Sequence, residues 1–207
     1  MTGEGGLPWV WGATADEASR RYPADDVVAA RAPGRPLLRM TRAVTADAPP
    51  ETCWRWLCQL AVAPYSYDLV DNLGRPSPRT LTPGADRLVP GQRMVKVYEL
   101  LEVDEGRSWT GVTTTAGSLP FGPLAATYAA EPVVGGDASR DGSGDGSGDA
   151  RGTRTRLVCR MTLPGGGPLV RAKASALAWG DVPMVRKQLR TLAAYAGSGG
   201  AASDGEG

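Results

Sequence analysis

A long helical pattern near the end of the sequence, residues 172–196, limits the choice of fold. Apolar side chains recur there at steps of three and four, at Val182, Val185, Leu189, Leu192 and Ala196. Charged residues, among them Arg186 and Arg190, occupy the other side of the pattern. Such a helix must bury its apolar face against a broad partner, because one helix has no core of its own.

The middle of the chain supplies that partner as a series of predicted strands, over residues 36–45, 92–103, 107–115, 123–133 and 153–163. The last is the clearest because two kinds of residue alternate in it. Leu157, Cys159, Met161 and Leu163 form one row, and Arg154, Arg156, Arg160 and Thr162 form the other. This alternation with a period of two residues predicts that one face of the strand lies in the core and the other in water. The arginines are then solvated; the alternative is a buried Arg160 that binds a ligand carboxylate.

A short helix is predicted between the first strand and the rest of the sheet. It begins within residues 47–51, where Asp47 or its neighbour acts as the cap and proline occupies the first turn. Glu51 complements the helix dipole, and the helix runs to about Leu60. Trp54 and Trp56 flank its apolar stripe and are expected to pack in the core.

Composition excludes several classes of function. The chain has no histidine, so a triad, a general base or a metal site built on histidine is excluded. Its three cysteines include no Cys-x-x-Cys pair, and we expect no metal, no cofactor and no disulfide. The formal net charge of +1 argues against binding nucleic acid through phosphates. We see no signal peptide and no membrane span, and reduced cysteines favour a cytoplasmic location.

Two segments lack the apolar residues that a packed structure needs. Residues 135–152, rich in Gly, Ser and Asp, are predicted to form a flexible insertion loop, and residues 197–207 a disordered tail. The spacing of the aspartates does not match an EF-hand, because Arg156 stands where the glutamate belongs. The rest of the chain is predicted to consist of an N-terminal extension, residues 1–35, and one domain, residues 36–196, which contains the insertion loop.

Several short motifs in the sequence resemble those of a known protein family. They are Trp11-Gly-Ala-Thr14, Ala48-Pro-Pro-Glu-Thr-Cys-Trp-Arg-Trp-Leu57, Pro64-Tyr-Ser-Tyr-Asp68 with Asp71-Asn72, Leu88-Val-Pro-Gly-Gln92, and Trp179-Gly-Asp181 with Arg186-Lys-Gln-Leu189. Together they resemble bacterial proteins of the SRPBCC superfamily, the START, Bet v 1 and polyketide-cyclase type, from about Trp9 to Ala196. The resemblance implies an α+β helix-grip fold, in which a curved antiparallel sheet wraps a long C-terminal helix. It also implies a cavity between sheet and helix for a small hydrophobic ligand.

The candidate ligand-binding residues fall in three places. Tyr65, Tyr67, Asp68, Asp71 and Asn72 form a polar cluster that either faces the mouth of the cavity or caps turns. Trp109 and Tyr128 lie on predicted strands; Tyr128 fits cavity and core equally, whereas small neighbours favour the cavity for Trp109. Trp179 and Asp181 precede Pro183, where the last helix is predicted to restart or kink, with Asp181 as its N-cap or as the partner of an arginine.

Three functions remain open at this point. The first is a carrier or sensor that binds a small hydrophobic molecule. The second is an enzyme of the polyketide cyclase/aromatase kind, which would use carboxylate or tyrosine groups and neither histidine nor metal. The third is a protein-interaction module without a ligand. The fold does not choose among them, because one scaffold hosts many functions.

Overall fold

A computed structural model describes residues 6–67, 74–114, 123–133 and 153–200 of the chain. The helices are α1 (Ala15–Ser19), α2 (Pro23–Arg31), α3 (Pro50–Cys58), followed by a short 3-10 helix (Gln59–Ala61), and α4 (Pro168–Gly200). The strands are β1 (Val10–Trp11), β2 (Leu37–Ala46), β3 (Arg93–Met94), β4 (Tyr98–Asp104), β5 (Ser108–Thr113), β6 (Ala125–Pro132) and β7 (Thr155–Pro164). The predicted insertion loop, residues 135–152, lies outside the described residues.

The described strands form one seven-stranded sheet in the order β1-β2-β7-β6-β5-β4-β3. Every neighbouring pair is antiparallel except β1 and β2, which are parallel. The α4 helix packs on one face of this sheet, and its buried row contributes Ala174, Ala178, Val185, Leu189, Leu192 and Ala196 to the main core. The predicted α+β helix-grip fold is thereby confirmed. None of the described helices has the length and apolar character that crossing a bilayer requires.

The register of β2 and β7 explains how one face becomes apolar. Met40 pairs with Met161 and Leu38 with Leu163, so both strands turn their alternate apolar residues toward α4. Trp54 and Trp56 on α3 join the same core, as expected. The α3 helix begins at Pro50 with Pro49 as its N-cap and has no side-chain cap. The expectation that Asp47 caps it is therefore wrong for Asp47, which lies too far ahead of the first turn.

The opposite face of the sheet is covered by the N-terminal extension, which corrects the prediction of a solvated row on β7. Arg160 and Thr162 are fully buried. The Arg160 guanidinium donates hydrogen bonds to the carbonyls of Glu17, Ala18 and Arg20, at 3.1, 2.8 and 3.0 Å. These carbonyls lie at the end of α1, where backbone acceptors lack helical partners. Alternation along one strand cannot reveal that two distant helices cover its polar side.

The last helix is continuous, which also differs from expectation. It begins before residue 172, contains Pro183 without a break and runs to Gly200, past the predicted start of the tail at residue 197. Asp181 therefore lies in mid-helix and is not an N-cap. Pro183 is tolerated because its ring lies on the exposed side of α4 while the other side is held by the core.

Gly12 closes the turn between β1 and α1 and yields a first prediction. Its φ of +68° is left-handed, and a Cβ there would lie 2.2 Å from the carbonyl oxygen of Ala43. We expect Gly12→Ala to lower the free energy of unfolding by about 2–4 kcal/mol, through both backbone strain and overlap. Gly34→Ala is the control, because Gly34 has a similar φ of +74° with nothing within 4 Å. Urea unfolding should show a smaller loss for it, about 1 kcal/mol; equal losses would contradict the role of the Ala43 contact.

Candidate functional site

A cavity of about 250 Å³ lies between the sheet and α4. Its apolar wall includes Val95, Val97, Met161, Met184 and Val185. Its polar side chains include Tyr98, Tyr128, Asp181 and Gln188. The helix brings Asp181, Val185 and Gln188 to the same side because they are spaced by four and three residues. A mostly apolar cavity with a few convergent polar groups is the usual form of a small-molecule site.

Two of the polar side chains are bound to each other. The Tyr128 hydroxyl donates to Gln188 Oε1 at 2.7 Å, and Gln188 Nε2 donates to the carbonyl of Pro64 at 2.6 Å. This chain of hydrogen bonds joins β6, α4 and the segment after the 3-10 helix. Burial raises the pKa of Tyr128 well above its usual value, so its hydroxyl stays protonated near neutral pH. These groups give the cavity a fixed polar wall.

Asp181 differs from Tyr128 and Gln188, because a nearby arginine balances its charge without forming a hydrogen bond to it. Its Oδ2 lies 3.6 Å from Arg42 Nη2, which is an ion pair but longer than a normal hydrogen bond. Within the part of the chain that the structure describes, Oδ2 has no hydrogen-bond partner. Burial raises the pKa of Asp181 to about 6, and the nearby Arg42 only partly offsets that effect. The carboxylate is therefore an acceptor at the cavity wall with unused bonding capacity.

Arg42 is fully buried and is held mainly by backbone carbonyls. Its Nη1 donates to the carbonyl of Trp9 at 2.8 Å and to that of Thr41 at 3.3 Å. Its Nη2 reaches the carbonyl of Ala178 at 3.4 Å. Burial lowers the pKa of Arg42, an effect that Asp181 counteracts. The guanidinium thus lies beneath Asp181 as a fixed positive charge that links β2 to α4.

Cys159, a fully buried thiol on β7 next to Tyr128 and Arg42, does not line the cavity and is not an activated nucleophile. Cys159 pairs with Arg42 across β2 and β7 and with Tyr128 across β6 and β7. Burial, and next the Asp181 charge, raise the pKa of Cys159 to about 12. Because the thiolate is the reactive form, this cysteine is inert near neutral pH. The Asp181 carboxylate at the cavity wall can accept a hydrogen bond or a proton.

Of the candidate residues that the structure describes, Tyr128 and Asp181 line this cavity. Trp109 lies behind Tyr128, fully buried and stacked on its ring at 4.6 Å, and its indole N–H donates to the carbonyl of Leu57. The space that was expected beside Trp109 is filled, because a Cβ on Gly111 would lie 3.0 Å from Tyr98 Cβ. Trp109 is therefore a core residue.

The two described members of the predicted polar cluster, Tyr65 and Tyr67, lie in different places. Tyr65 is buried and packs edge-on against Trp56 and Tyr195. Tyr67 and Trp179 are exposed and line a different groove, on the outer side of α4. Asp68, Asp71 and Asn72 lie outside the described residues.

Sequence reasoning missed Arg42, Tyr98 and Gln188. A signal for Arg42 was present in the row Leu38, Met40, Arg42 and Val44, where a charged residue takes an inward position of a strand. Gln188 likewise interrupts the buried side of the last helix. A polar residue at a buried position of a regular pattern must have a partner, and here the partners are Asp181 and Tyr128.

No family model matches the chain, and no curated protein is similar to it in sequence. Ara h 8.0201, a solved structure, is similar at 11% identity and a TM-score of 0.39, covering 79% of this chain and 99% of its own. Protein MLL2253 from Mesorhizobium loti is similar at 16% identity and a TM-score of 0.37, covering 75% of this chain and 95% of its own. Protein CV1439 from Chromobacterium violaceum is similar at 14% identity and a TM-score of 0.39, covering 77% of this chain and 96% of its own. The helix-grip assignment rests on the element order and strand pairing of the chain itself.

Proposed function

We propose that the chain binds a small, largely apolar molecule in the cavity between the sheet and α4, as a carrier or sensor. The observation that carries this proposal is the buried carboxylate of Asp181, which lies at the cavity wall with an oxygen that no described group binds. Buried acceptors are normally satisfied, and an unsatisfied one costs about 1–3 kcal/mol or more for a charged group. A ligand that donates a hydrogen bond would remove that cost.

The size of the cavity limits the ligand. A volume of about 250 Å³ is slightly below the roughly 300–1,000 Å³ of pockets for drug-sized molecules. At about 30 Å³ per water molecule, it holds roughly eight waters, or a ligand with a similar number of non-hydrogen atoms. This favours a compact molecule with one ring over a long lipid or an extended polyketide chain.

The polar groups limit its chemistry. Tyr128 and Gln188 are bonded to each other, whereas Asp181 Oδ2 has no hydrogen-bond partner among the described residues, which makes it the acceptor that a ligand donor would satisfy. The inferred ligand therefore has an apolar body and one O–H or N–H donor. A ligand carboxylate placed against Asp181 is disfavoured, because it would be brought beside a like charge in a buried place.

Two isomers provide the test, 4-ethylphenol and 4-methylanisole, which share one formula but differ in the presence of an O–H donor. We expect calorimetric titration at pH 7.5 to show the phenol binding at least about ten-fold tighter, since a hydrogen bond to a charged group is worth about 1.5–3 kcal/mol. Asp181→Asn should reduce that preference. Met184→Trp, which fills the cavity, should weaken both isomers.

The outcomes separate the parts of the proposal. If both isomers bind equally and Met184→Trp weakens them, the cavity binds ligands but Asp181 is not the anchor. If neither binds, and no donor of similar size raises the thermal midpoint, the ligand-binding function is wrong. A ligand at about 100 times its dissociation constant adds about 2.7 kcal/mol, which is readily seen as such a shift.

A second candidate, an acid–base enzyme, is favoured by one specific observation. The pKa of Asp181, raised to about 6 by burial, suits a general base near neutral pH. Mass spectrometry of a bound molecule after incubation tests this. An enzyme would return it altered, and Asp181→Asn would bind it without turnover. A carrier or sensor would return it unchanged with either form of the protein.

A further inference from the structure

A second concave surface lies on the outer side of α4, away from the ligand cavity. This groove encloses about 780 Å³ and is lined by α4 residues from Trp179 to Tyr195 together with Tyr67. Its floor is apolar and contains Val182, Pro183 and Ala194. Trp179 is 55% exposed there among the described residues, which is unusual for a large aromatic side chain and marks a candidate interaction surface.

Three cations line this groove, and aromatic rings hold them in place. The guanidinium groups of Arg186 and Arg190 both lie 5.3 Å from the ring centre of Trp11, and Lys187 Nζ lies 4.3 Å from that of Tyr67. These contacts are within cation–π range, so they fix the side chains without neutralising their charge. The three cations therefore remain available to a partner while their positions are already set.

Within the described ranges, no carboxylate pairs with the cations of the groove. Among the described residues none of these three cations forms an ion pair, and no Asp or Glu belongs to the groove lining. Several other arginines do pair, such as Arg156 with Glu17 and Arg42 with Asp181. A concave, apolar floor bordered by unpaired positive charge is complementary to an anion that also carries apolar groups.

The length of the groove indicates the kind of anion. Trp179 and Ala194 are fifteen positions apart on α4, which corresponds to about 22 Å at 1.5 Å per residue. An extended peptide covers about 3.3 Å per residue, so roughly seven residues fit along it. A flat bilayer does not fit a concave surface. A nucleic acid would draw its affinity from many phosphates, whereas the groove offers three cations and the whole chain a net charge of +1.

We propose that this groove on the outer side of α4 docks an acidic segment of a partner protein, about seven residues long, whose carboxylates contact Arg186, Lys187 and Arg190 and whose apolar side chains pack on Trp179 and the groove floor. The interaction is separate from the ligand cavity, because Asp181 and Gln188 lie on the inner side of the same helix.

The test uses the full chain and labelled eight-residue peptides that carry three glutamates at varied spacing among leucine and phenylalanine. Each peptide is paired with its glutamine analogue, and binding is followed by fluorescence anisotropy at low and physiological salt. The triple variant Arg186→Gln, Lys187→Gln, Arg190→Gln removes the groove charges. Its control is Arg154→Gln, Arg171→Gln, Lys173→Gln, which removes the same charge from exposed positions elsewhere. Trp179→Ala tests the apolar contact.

We expect at least one glutamate peptide to bind and to exceed its glutamine analogue. That binding should fall roughly ten-fold or more in the groove variant, weaken with salt and with Trp179→Ala, and persist in the control variant. The proposal is overturned if no glutamate peptide exceeds its analogue, or if both triple variants lose binding equally. It is also overturned if an eight-nucleotide oligothymidylate or phosphatidylserine vesicles bind through the groove cations more tightly than every peptide.

Discussion

Arg42→Met is expected to lower the free energy of unfolding by about 3–5 kcal/mol at pH 7.5, because it leaves the buried carboxylate of Asp181 without its counter-charge. The substitution keeps the length and apolar stem of the side chain, so lost packing is a minor part of the effect. The carbonyl of Trp9 retains a second donor, the backbone N–H of Thr41 at 2.8 Å. The loss is therefore expected to come mainly from the charge.

Two comparisons isolate that cause. The double variant Arg42→Met, Asp181→Leu replaces the pair by apolar residues and should recover to within about 1 kcal/mol of the original protein, since buried pairs are often replaceable in this way. At pH 4, where Asp181 is protonated, Arg42→Met alone should cost less than at pH 7.5. Urea unfolding at both pH values checks these outcomes. A loss below about 1 kcal/mol at pH 7.5 would contradict the ion pair as the link between β2 and α4.

Asp181 gives the second large effect, a dependence of stability on pH. Its pKa is about 6 in the folded protein and about 3.9 in an unfolded chain. Between these values the folded state binds a proton that the unfolded state does not, so this residue makes the free energy of unfolding rise as the pH falls from 7 to 4. The difference of about two pH units corresponds to about 3 kcal/mol.

The Asp181→Asn variant separates this contribution from the other carboxylates. Glu17, for example, acts in the opposite sense, because Arg156 and Thr14 outweigh its burial and lower its pKa. Such contributions are shared by both proteins and cancel in their difference. We expect the stability of Asp181→Asn relative to the original to become about 3 kcal/mol more favourable between pH 4 and pH 7.5. A difference that is constant with pH would show that Asp181 ionises normally.

Much of the fold could be predicted because its patterns are local. The strand at 153–163 and the helix that follows it each repeat a simple period, and both appear in the structure as β7 and α4. Tertiary context decided the rest. Arg160 looked solvated because nothing in its own strand shows that α1 and α2 cover it. Pro183 suggested a helix start, although the core holds α4 continuous on both sides of it.

The site was harder to predict than the fold. Asp181 was named with an arginine as its alternative partner, and the Arg42 pair confirms that alternative. Arg42 belongs to no cluster along the sequence, because its partner Asp181 lies far from it in the chain. The prediction that Trp109 lines the cavity was wrong, because the small residue beside it, Gly111, makes room for Tyr98 and not for a ligand. Such distances depend on strand register, which composition and spacing leave open.

The decisive measurement is the pKa of the Asp181 carboxyl by carbon-detected NMR, without ligand and with saturating 4-ethylphenol. We predict a value of about 6 without ligand, because the group is buried beside the cavity and Arg42 only partly compensates. With the phenol it should fall by about one pH unit, because a donor favours the ionised acceptor. A pKa near 4 that the phenol leaves unchanged would contradict a buried carboxylate that anchors the ligand.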